Sequence, residues 1–355
     1  MPSLRRGVPQ DGRMTVRVAV NGFGVIGRRV ADAVGMQPDM QLAGIVDVAT
    51  DWRMQVARER DFAIYGATAE SVTALRAAGC EPRGDLGALL AVADVVVDCT
   101  PKGVDAQNRE LYNAAGVRHI FQGGAKHDLA GHSFVACANY ESALDRRSTR
   151  VVSCNTTSTV RTLFALRQAG LLGRARGVLV RRASDPWESH REGVMNTMVP
   201  EPVIPSHQGP DARTVLPDLD VVTIATKSPQ NVGHLHHWIV DLARPASRDE
   251  VLAAFMAVSR IAFIRVSDGV AALNVTAELM KEIGRPRGDM WEVALWEDIL
   301  TVEGKELMYA YQVDNQAIVV PETLDAIRAL TGSERNGALS MQRTDESLGV
   351  RQRFL

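Results

Sequence analysis

The sequence lacks the features that mark several large classes of protein. Its 355 residues contain no apolar run close to the roughly 20 residues that a membrane-spanning helix needs. The first 14 residues, MPSLRRGVPQDGRM, contain no apolar signal segment, so we expect a disordered tail over residues 1–15 and no secretory signal. The formal net charge of −2 gives no reason to expect nucleic acid or an acidic membrane surface as a partner.

Cysteine is also scarce, and the whole chain contains only Cys80, Cys99, Cys137 and Cys154. None of them forms a CxxC pair, so a disulfide framework is not expected. Reduced thiols in a chain of this length indicate a cytoplasmic protein. The length itself exceeds one ordinary hydrophobic core and predicts two domains.

The first part of the chain carries a dinucleotide-binding pattern. Residues 16–34, VRVAVNGFGVIGRRVADAV, predict a short strand and then a helix, with Gly22, Gly24 and Gly27 at the turn between them. In this G-x-G-x-x-G arrangement the glycines permit a tight turn, a close approach of pyrophosphate, and close packing of the helix on the strand. The start of the helix then offers free N–H groups to phosphates.

The second predicted strand, MQLAGIVDV, places Asp47 near its end, 20 residues after Gly27. An acidic residue at this distance binds the ribose hydroxyls of the adenosine, and a solvated carboxylate at the end of the strand is the alternative. A carboxylate also repels a 2′-phosphate, so we expect NAD as the cofactor. NADP stays possible because Arg53 is close in sequence and would accommodate that phosphate.

Three further segments, ADVVVDCT, VRHIFQGG and HSFVACANY, predict strands that alternate with helical or loop segments. This alternation indicates a doubly wound parallel sheet. In the second half, several strand-like segments and two helices predict an α+β layer whose sheet is mostly antiparallel. The segment VEGKE predicts a hairpin turn between two of those strands.

Cys154 lies at the predicted start of a helix, in VVSCNTTSTVRTL (residues 151–163). The residues before it indicate the end of a strand, and the apolar residues after it recur at helical spacing until Gly170. Ser153 or Asn155 suits the N-cap. A thiol at the positive end of a helix has a lowered pKa and is a competent nucleophile. The alternative is a small buried hydrophobic residue, which fits the three other cysteines.

A nucleophilic cysteine in a protein with a nicotinamide-binding domain suggests the oxidation of an aldehyde. Attack by the thiolate gives a thiohemiacetal, loss of a hydride gives a thioester, and water or phosphate releases the product. This chemistry needs a base that takes a proton and donors that hold an oxyanion.

The candidates for the base are histidines in NVGHLHHWIVDLA. Alternation along a strand places His234 and His236 on one face with Trp238, and His237 on the other. One of the pair is expected to be the base, because histidine titrates near neutral pH. A packed pair in the core is one alternative. A metal site is another, but no cysteine or acidic residue stands beside the pair, so no metal is expected.

Arg181 and Arg182, in VLVRRASD, are the candidates for an anion site, because guanidinium groups bind phosphate well. Neighbouring residues of a strand point to opposite faces, so only one of the two is expected to enter a pocket. A solvated pair at the end of the strand is the alternative.

Ten stretches of the chain carry a resemblance to a known family: VAVNGFGVIGRRVADAV, QPDMQLAGIVD, VVVDCTPKGV, FQGGAKH, VVSCNTT, VRRASD, MVPEPVIPSHQGPD, HLHHW, IVVPETLDAIRAL and ESLGV. From about Val16 to the C-terminus, the sequence resembles the archaeal-type (class II) glyceraldehyde-3-phosphate dehydrogenases. The combination of SCNTT, VRR and the spaced histidine is its most specific part.

The resemblance implies phosphorylating oxidation of D-glyceraldehyde 3-phosphate to 1,3-bisphosphoglycerate with NAD(P), by a homotetramer, in glycolysis or gluconeogenesis. It makes Cys154 the nucleophile, His234 the catalytic base, and Asn155 a contact to the oxyanion. Substrate phosphate or inorganic phosphate is expected at Ser153, Thr156, Arg181, Arg182 and His207. The expected cofactor contacts are Asn21, Gly22, Phe23, Gly24, Val25, Ile26, Gly27, Asp47, Thr100, Pro101, Gly123 and Asn315.

The chain departs from the family pattern in three places. Asp47 stands where many members carry a lysine and accept NADP, which favours NAD. Gln208 replaces the second histidine of a PSHH motif, so one phosphate contact is expected to be weaker because Gln208 carries no charge. The segment VDNQAIVVP also differs from its usual form, and Asn315 within it is expected to contact the nicotinamide amide.

The expected architecture is α/β. We predict a Rossmann domain with a doubly wound parallel sheet over residues 16–153 and an α+β catalytic and tetramerisation domain over residues 154–315. A helix over residues 316–355 is expected to return to the first domain. Two other functions stay open: a related semialdehyde or sugar-phosphate dehydrogenase with the same Cys–His chemistry, and a catalytically idle NAD-binding regulator. SCNTT and VRR favour the triose phosphate over the first, and the presence of Cys154 and His234 argues against the second.

Overall fold

A computed structural model describes residues 15–122, 124–183 and 198–355, which divide into two units. The first unit comprises the described residues up to Ser133, together with Tyr140–Val151 and Glu322–Leu348. The second comprises Phe134–Asn139, the described part of Val152–Pro321, and Gly349–Leu355. The disordered tail predicted for residues 1–15 lies, except for Thr15, outside the described residues.

The strands of the described residues are β1 (Val16–Asn21), β2 (Met40–Asp47), β3 (Ile64–Gly66), β4 (Val95–Asp98), β5 (Arg118–Phe121), β6 (Ser133–Phe134), β7 (Ser148–Val151), β8 (Leu172–Arg182), β9 (Val199–Pro200), β10 (Val221–Ser228), β11 (His234–Leu242), β12 (Ile261–Ile264), β13 (Val293–Trp296), β14 (Thr301–Glu303) and β15 (Glu306–Val313). The α-helices are α1 (Val25–Gly35), α2 (Trp52–Glu59), α3 (Ala69–Ala77), α4 (Leu86–Leu90), α5 (Asp105–Ala115), α6 (His127–Ala130), α7 (Ala136–Asn139), α8 (Cys154–Gln168), α9 (Gln208–Arg213), α10 (Arg248–Met256), α11 (Leu273–Glu282), α12 (Val319–Thr331) and α13 (Gly337–Leu348). None of these helices combines the length and the hydropathy that crossing a membrane requires.

The sheet of the first unit has the strand order β3-β2-β1-β4-β5-β7-β6. Strands β3, β2, β1, β4, β5 and β7 pair with their neighbours in parallel. The three valines of β4 are fully buried, as expected for a strand covered on both faces. This sheet confirms the predicted Rossmann architecture, and its order brings the ends of β1 and β4 side by side.

The second unit contains a mixed sheet with the order β12-β13-β15-β11-β8-β10-β9, and β14 pairs with β15. Five of its seven strand pairings are antiparallel, which confirms a mostly antiparallel sheet. The predicted hairpin joins β14 to β15 through Gly304, whose φ of +61° suits a tight turn. Strand β11 lies between β8 and β15, so the histidines lie in the middle of the sheet.

One predicted strand is largely wrong. In HSFVACANY only Ser133–Phe134 are extended, and a short helix follows at Ala136–Asn139. The side chain of Asn139 accepts the backbone N–H of Val135 at 3.0 Å, so it closes a local turn. A short apolar run is ambiguous between strand and helix, and this local hydrogen bond favours the helix.

Helix α8 is held firmly in the second unit. Ser153 is its N-cap and accepts the backbone N–H of Thr156, and Gly170 follows its C-terminus with a φ of +66°. Arg161, on this helix, is fully buried and donates to the carbonyl of Trp291 at 2.8 Å and to that of Ile318 at 3.2 Å. These contacts hold the first residue of the helix in a defined place.

Candidate active site

Cys154 is the first residue of α8, and the structure brings it into contact with His234 at the start of β11. Its Sγ lies 3.2 Å from the Nε2 atom of His234. As predicted from alternation, His234, His236 and Trp238 are buried on one face of β11, whereas His237 is exposed on the other. The structure therefore places the predicted nucleophile and the predicted base within hydrogen-bonding distance.

The tautomer of His234 follows from its second contact. The backbone N–H of Arg182 donates to Nδ1 at 3.1 Å, so Nδ1 acts as an acceptor. A neutral imidazole that accepts at Nδ1 carries its proton on Nε2. That proton faces the sulfur of Cys154, so the neutral ring donates a hydrogen bond to it.

Burial opposes charge on both members of this pair. It raises the pKa of the Cys154 thiol to about 11, although Arg182 and, less strongly, Arg181 act in the other direction. Burial, followed by the nearby His236 and the two arginines, lowers the pKa of His234 well below its usual range. Both shifts favour a neutral thiol beside a neutral imidazole. The expectation that the helix start gives Cys154 a lowered pKa is therefore wrong, because burial outweighs the opposing charges.

Arg181 and Arg182 end β8, and Arg181 belongs to a cluster of predicted phosphate ligands. Arg181 Nη1 lies 3.3 Å from Glu201 Oε2. The other oxygen of Glu201 accepts the backbone N–H of His207 and lies 2.7 Å from its Nδ1. Gln208 Nε2 lies 3.2 Å from His207 Nε2. A carboxylate thus holds two of the predicted phosphate ligands. The charges of both arginines act on the Cys154 thiol, and the expectation that only one of the two enters a pocket stays a prediction.

Ser153 and Thr156 lie at the start of α8, but their hydroxyls are engaged within the protein. Thr156 Oγ1 donates to Asp211 Oδ2 at 2.7 Å and lies 2.9 Å from Ser153 Oγ. Thr156 is fully buried. A phosphate would have to displace Asp211 to reach the Thr156 hydroxyl, and the phosphate role of both residues stays a prediction.

The turn after β1, in the first unit, fits a bound dinucleotide. Gly22 has a φ of +93°, and a Cβ on it would lie 2.8 Å from the backbone carbonyl of Cys99. A Cβ on Gly27 would lie 1.8 Å from the carbonyl oxygen of Gly22, so any side chain there would force α1 away from β1. Gly24 faces open space and is the N-cap of α1, whose first N–H groups have no acceptor within the helix. Open backbone and free N–H groups suit a diphosphate.

Asp47 ends β2 and closes the same turn. Its Oδ2 accepts the backbone N–H of Phe23 at 2.7 Å, and its Oδ1 accepts those of Val48 and Ala49 at 2.8 Å each. The side chain of Phe23 is fully buried, so only its backbone faces the turn. Asp47 therefore shapes the loop, and its contact to a ribose stays a prediction. Val25 and Ile26 lie in the first turn of α1, half-buried.

Two other predicted cofactor contacts, Asn21 and Thr100, belong to a buried network around Asp98. The Asp98 carboxylate accepts from Thr100 Oγ1 at 2.6 Å, from Tyr112 Oη at 2.7 Å and from Asn108 Nδ2 at 2.9 Å. Asn21 Nδ2 donates to the hydroxyl of Tyr112 at 2.7 Å. The network joins the ends of β1 and β4, next to the glycine turn.

Asn315, in the second unit, supports the turn that precedes the histidine strand. Its Oδ1 accepts the backbone N–H of Gly233, which has a φ of +63° and directly precedes His234. Its predicted contact to the nicotinamide stays a prediction. Pro101 is exposed just after β4, and Gly123 lies outside the described residues. Within the described part of the chain, no three His, Cys, Asp or Glu side chains cluster in a way that could hold a metal ion.

Several polar residues of these sites were not predicted from the sequence: Glu201, Asp211, Asp98, and Tyr311, whose hydroxyl lies 2.9 Å from Nδ1 of His236. Asp98 had a usable signal, because it directly follows three valines at the end of a buried strand. Tyr311 alternates with Tyr309 along a predicted strand, which is a weaker signal. Glu201 and Asp211 come close to the site only through the path of the loop and of helix α9, and local pattern does not reveal that path.

Comparison with known proteins finds two family models that match separate stretches of the chain. Residues 153–283 match the model described as glyceraldehyde 3-phosphate dehydrogenase, C-terminal domain. Residues 16–124 match the model described as dihydrodipicolinate reductase, N-terminus. The first match covers Cys154 and His234, and the second covers the glycine turn and Asp47.

Curated relatives extend this similarity over almost the whole chain. The glyceraldehyde-3-phosphate dehydrogenase of Pyrobaculum calidifontis is 44% identical over 336 residues, which cover 94% of this chain and 97% of that protein. That of Hyperthermus butylicus is 42% identical over 336 residues, with the same coverage. That of Metallosphaera sedula is 40% identical over 341 residues, 96% of this chain and 99% of that protein.

The charge of Arg182 should control the reactivity of Cys154. Arg182→Gln removes the positive charge that lowers the thiol pKa most, so that pKa should rise and alkylation by iodoacetamide at pH 8 should slow. A tenfold loss of rate corresponds to a rise of about one pH unit in the thiol pKa. The rate is measured by mass spectrometry of the peptide that contains Cys154. Arg174→Gln, which removes an exposed charge from the same strand, is the matched control. Equal rates in both variants would contradict the prediction.

Proposed function

The chain belongs to the glyceraldehyde-3-phosphate dehydrogenase family, and from that premise we propose how it oxidises glyceraldehyde 3-phosphate with a nicotinamide cofactor. The product is 1,3-bisphosphoglycerate, and inorganic phosphate is the second substrate. The observation that carries the proposal is the 3.2 Å contact between Cys154 Sγ and His234 Nε2. The curated relatives reported above are named for this activity, which argues against a semialdehyde dehydrogenase or an idle regulator.

Cys154 is the proposed nucleophile. The thiol proton passes to Nε2 of His234, the sulfur forms a bond to the aldehyde carbon, and the aldehyde oxygen gains the electron pair of the C=O π bond. The resulting thiohemiacetal oxyanion needs hydrogen-bond donors, and Nε2–H of His234 and Nδ2 of Asn155 both face the sulfur. When bound, the nicotinamide serves as the acceptor for the hydride that leaves this carbon. A thioester on Cys154 remains, which an oxygen of inorganic phosphate attacks while the C–S bond breaks.

His234 is the proposed acid–base group. With its proton on Nε2, the ring donates to the sulfur, to the oxyanion, and to the thiolate that leaves in the last step. To accept a proton at Nε2, the neutral ring must first carry its own proton on Nδ1, so that Nε2 has a free lone pair, and the hydrogen bond from Arg182 to Nδ1 must then break. The ring that has accepted the proton is an imidazolium cation. His234 can therefore donate from Nε2 without rearrangement. To act as a base, it must first move its proton to Nδ1 and lose the hydrogen bond from Arg182.

Ser153, Thr156, Arg181, Arg182 and His207 are the proposed ligands of substrate phosphate and inorganic phosphate. The charge of the two arginines at the site supports this role, because a phosphate dianion interacts best with guanidinium groups. Glu201 already neutralises part of that charge through Arg181. A phosphate must therefore compete with Glu201 for Arg181 and His207.

The first unit is the proposed cofactor domain, with NAD as the preferred cofactor. The open backbone at Gly24 and the free N–H groups of α1 support a diphosphate there. The carboxylate of Asp47 supports a ribose with free hydroxyls over one with a 2′-phosphate. Arg53, which would favour the 2′-phosphate, forms an ion pair with Asp51 at 2.8 Å.

A cytoplasmic location and a homotetrameric state are also proposed. None of the four cysteines forms a disulfide, which suits a reducing compartment. On the outer face of the second sheet, Val178, Ile224 and Ile239 are 49%, 44% and 42% exposed, and Val178 and Ile224 are neighbours in register. An apolar sheet face of this kind suits a second copy of the chain.

Steady-state assays test the function directly. The enzyme should form NADH from glyceraldehyde 3-phosphate and NAD only when inorganic phosphate is present. Cys154→Ser should lose at least about a thousandfold in kcat, because serine lacks the nucleophilicity of the thiolate. Cys137→Ser, at a half-buried cysteine outside the proposed site, should retain full activity. Undiminished activity in Cys154→Ser, or turnover that does not depend on phosphate, would contradict the proposal.

Cofactor choice should respond to Asp47. Asp47→Asn keeps an oxygen that accepts hydrogen bonds but removes the negative charge, so the ratio of kcat/KM for NAD to that for NADP should fall roughly tenfold, which is about 1.4 kcal/mol. Glu59→Gln, a neutralised carboxylate at the exposed end of α2, controls for the change in net charge. A ratio that does not move in Asp47→Asn would show that this carboxylate does not select the cofactor.

The oligomeric state is checked by sedimentation. The proposed tetramer should have a mass four times that of the 38.6 kDa chain. Ile224→Glu places a charge in the exposed apolar face and should shift the protein to smaller assemblies. A wild-type mass of one chain would rule the tetramer out.

A further inference from the structure

His236 is buried beside the reacting cysteine, yet the mechanism proposed above gives it no task. Its ring stacks on that of His234 with a centroid distance of 6.4 Å, and its two nitrogens contact other residues. Those contacts come from helix α8 on one side and from strand β15 on the other. A buried histidine with both nitrogens engaged acts either as a structural residue or as a link between other groups.

A continuous row of hydrogen bonds runs through His236 towards the sulfur. Trp238 Nε1 lies 3.0 Å from Tyr311 Oη, which lies 2.9 Å from His236 Nδ1. His236 Nε2 lies 2.9 Å from Asn155 Oδ1. Asn155 Nδ2 then lies 3.8 Å from Cys154 Sγ. The first three residues of the row are at most 1% exposed, so bulk water does not reach them.

The direction of this row is set at the hydroxyl of Tyr311. An indole N–H only donates, so Trp238 uses a lone pair of the Tyr311 hydroxyl. That hydroxyl has one proton, and His236 Nδ1 at 2.9 Å is a closer acceptor than Ser158 Oγ at 3.4 Å. Burial raises the pKa of Tyr311 to about 12 and lowers that of His236 to about 3, so both groups are neutral at physiological pH.

The direction of the row determines the orientation of the side-chain amide of Asn155. Because His236 accepts at Nδ1, its proton is on Nε2, and it donates to Asn155 Oδ1. The amide must then turn its N–H group towards the sulfur. The reversed amide would set two donors against each other at His236 and would present an oxygen lone pair to Cys154. Only the observed orientation offers a donor to a thiolate or an oxyanion.

We propose that His236, Tyr311 and Trp238 are positioning residues that keep the amide N–H of Asn155 directed at Cys154, where it stabilises the thiolate and the oxyanion. This inference rests on the proposed function, because it assigns a task within that reaction. The three residues act through Asn155, and Tyr311 decides the direction of the row.

Tyr311→Phe is the direct test, because it removes only the hydroxyl. Without it, Nδ1 of His236 is free to take the ring proton, Nε2 becomes an acceptor, and the Asn155 amide is free to reverse. We expect kcat to fall roughly 10- to 100-fold, at or below the lower limit of the loss seen when one oxyanion donor is removed, with the KM values for both substrates nearly unchanged. The pH at which iodoacetamide labels Cys154 at half-maximal rate should rise.

A double-mutant cycle separates positioning from general structural damage. Asn155→Ala should cost about as much as Tyr311→Phe, and adding Tyr311→Phe to Asn155→Ala should cost nothing more. Tyr309→Phe, at the neighbouring buried tyrosine of the same strand, should leave kcat and labelling unchanged. If Tyr311→Phe lowers kcat by the same factor with and without Asn155, the residue does not act through Asn155 and the inference is overturned.

The labelling experiment also keeps this inference separate from the proposed function. It needs no substrate, so it reports on the row even if the wild-type protein does not turn over glyceraldehyde 3-phosphate. Absence of turnover in the wild type would overturn the proposed function. An unchanged pH profile of labelling in Tyr311→Phe would overturn the positioning role.

Discussion

The contact between Cys154 Sγ and His234 Nε2 is the constraint around which the second unit is organised. It requires the first residue of α8 and the first residue of β11 to meet, although they are 80 positions apart in the chain. The helix is held by its Ser153 cap and by the buried Arg161, and the strand is held by pairing on both sides. The groups that would bind phosphate and orient the amide are then arranged around a rigid pair.

Burial and positive charge have opposite effects on the pKa of the Cys154 thiol. This opposition links phosphate binding to the ionisation of the thiol. Burial keeps Cys154 and His234 neutral, whereas Arg182 and Arg181 favour the thiolate. The same two guanidinium groups are the strongest candidates for binding phosphate. Any anion that they bind therefore also changes the thiol pKa, and phosphate binding and thiol ionisation are linked.

The fold, the cysteine at the helix start and the histidine pair of the candidate site could be predicted from the sequence because their signals are local. The glycine turn, the alternation that groups His234 with His236, and the capped helix start at Cys154 each lie within a few residues. The hydrogen bond from Arg182 to His234 and the row through Tyr311 depend on register between strands distant in sequence, which periodicity does not specify. The thiol pKa was predicted in the wrong direction for a similar reason, since the depth of burial is a property of the packed unit.

In the proposed reaction, Cys154 carries the acyl group between oxidation and phosphorylation. Wild-type protein mixed with NAD and glyceraldehyde 3-phosphate, without inorganic phosphate, should form a single burst of NADH. Acid quenching and peptide mass spectrometry should then find the 3-phosphoglyceroyl group on the peptide that contains Cys154. A burst with no mass added to that peptide, or with the group on another cysteine, would contradict the role of Cys154 as the nucleophile.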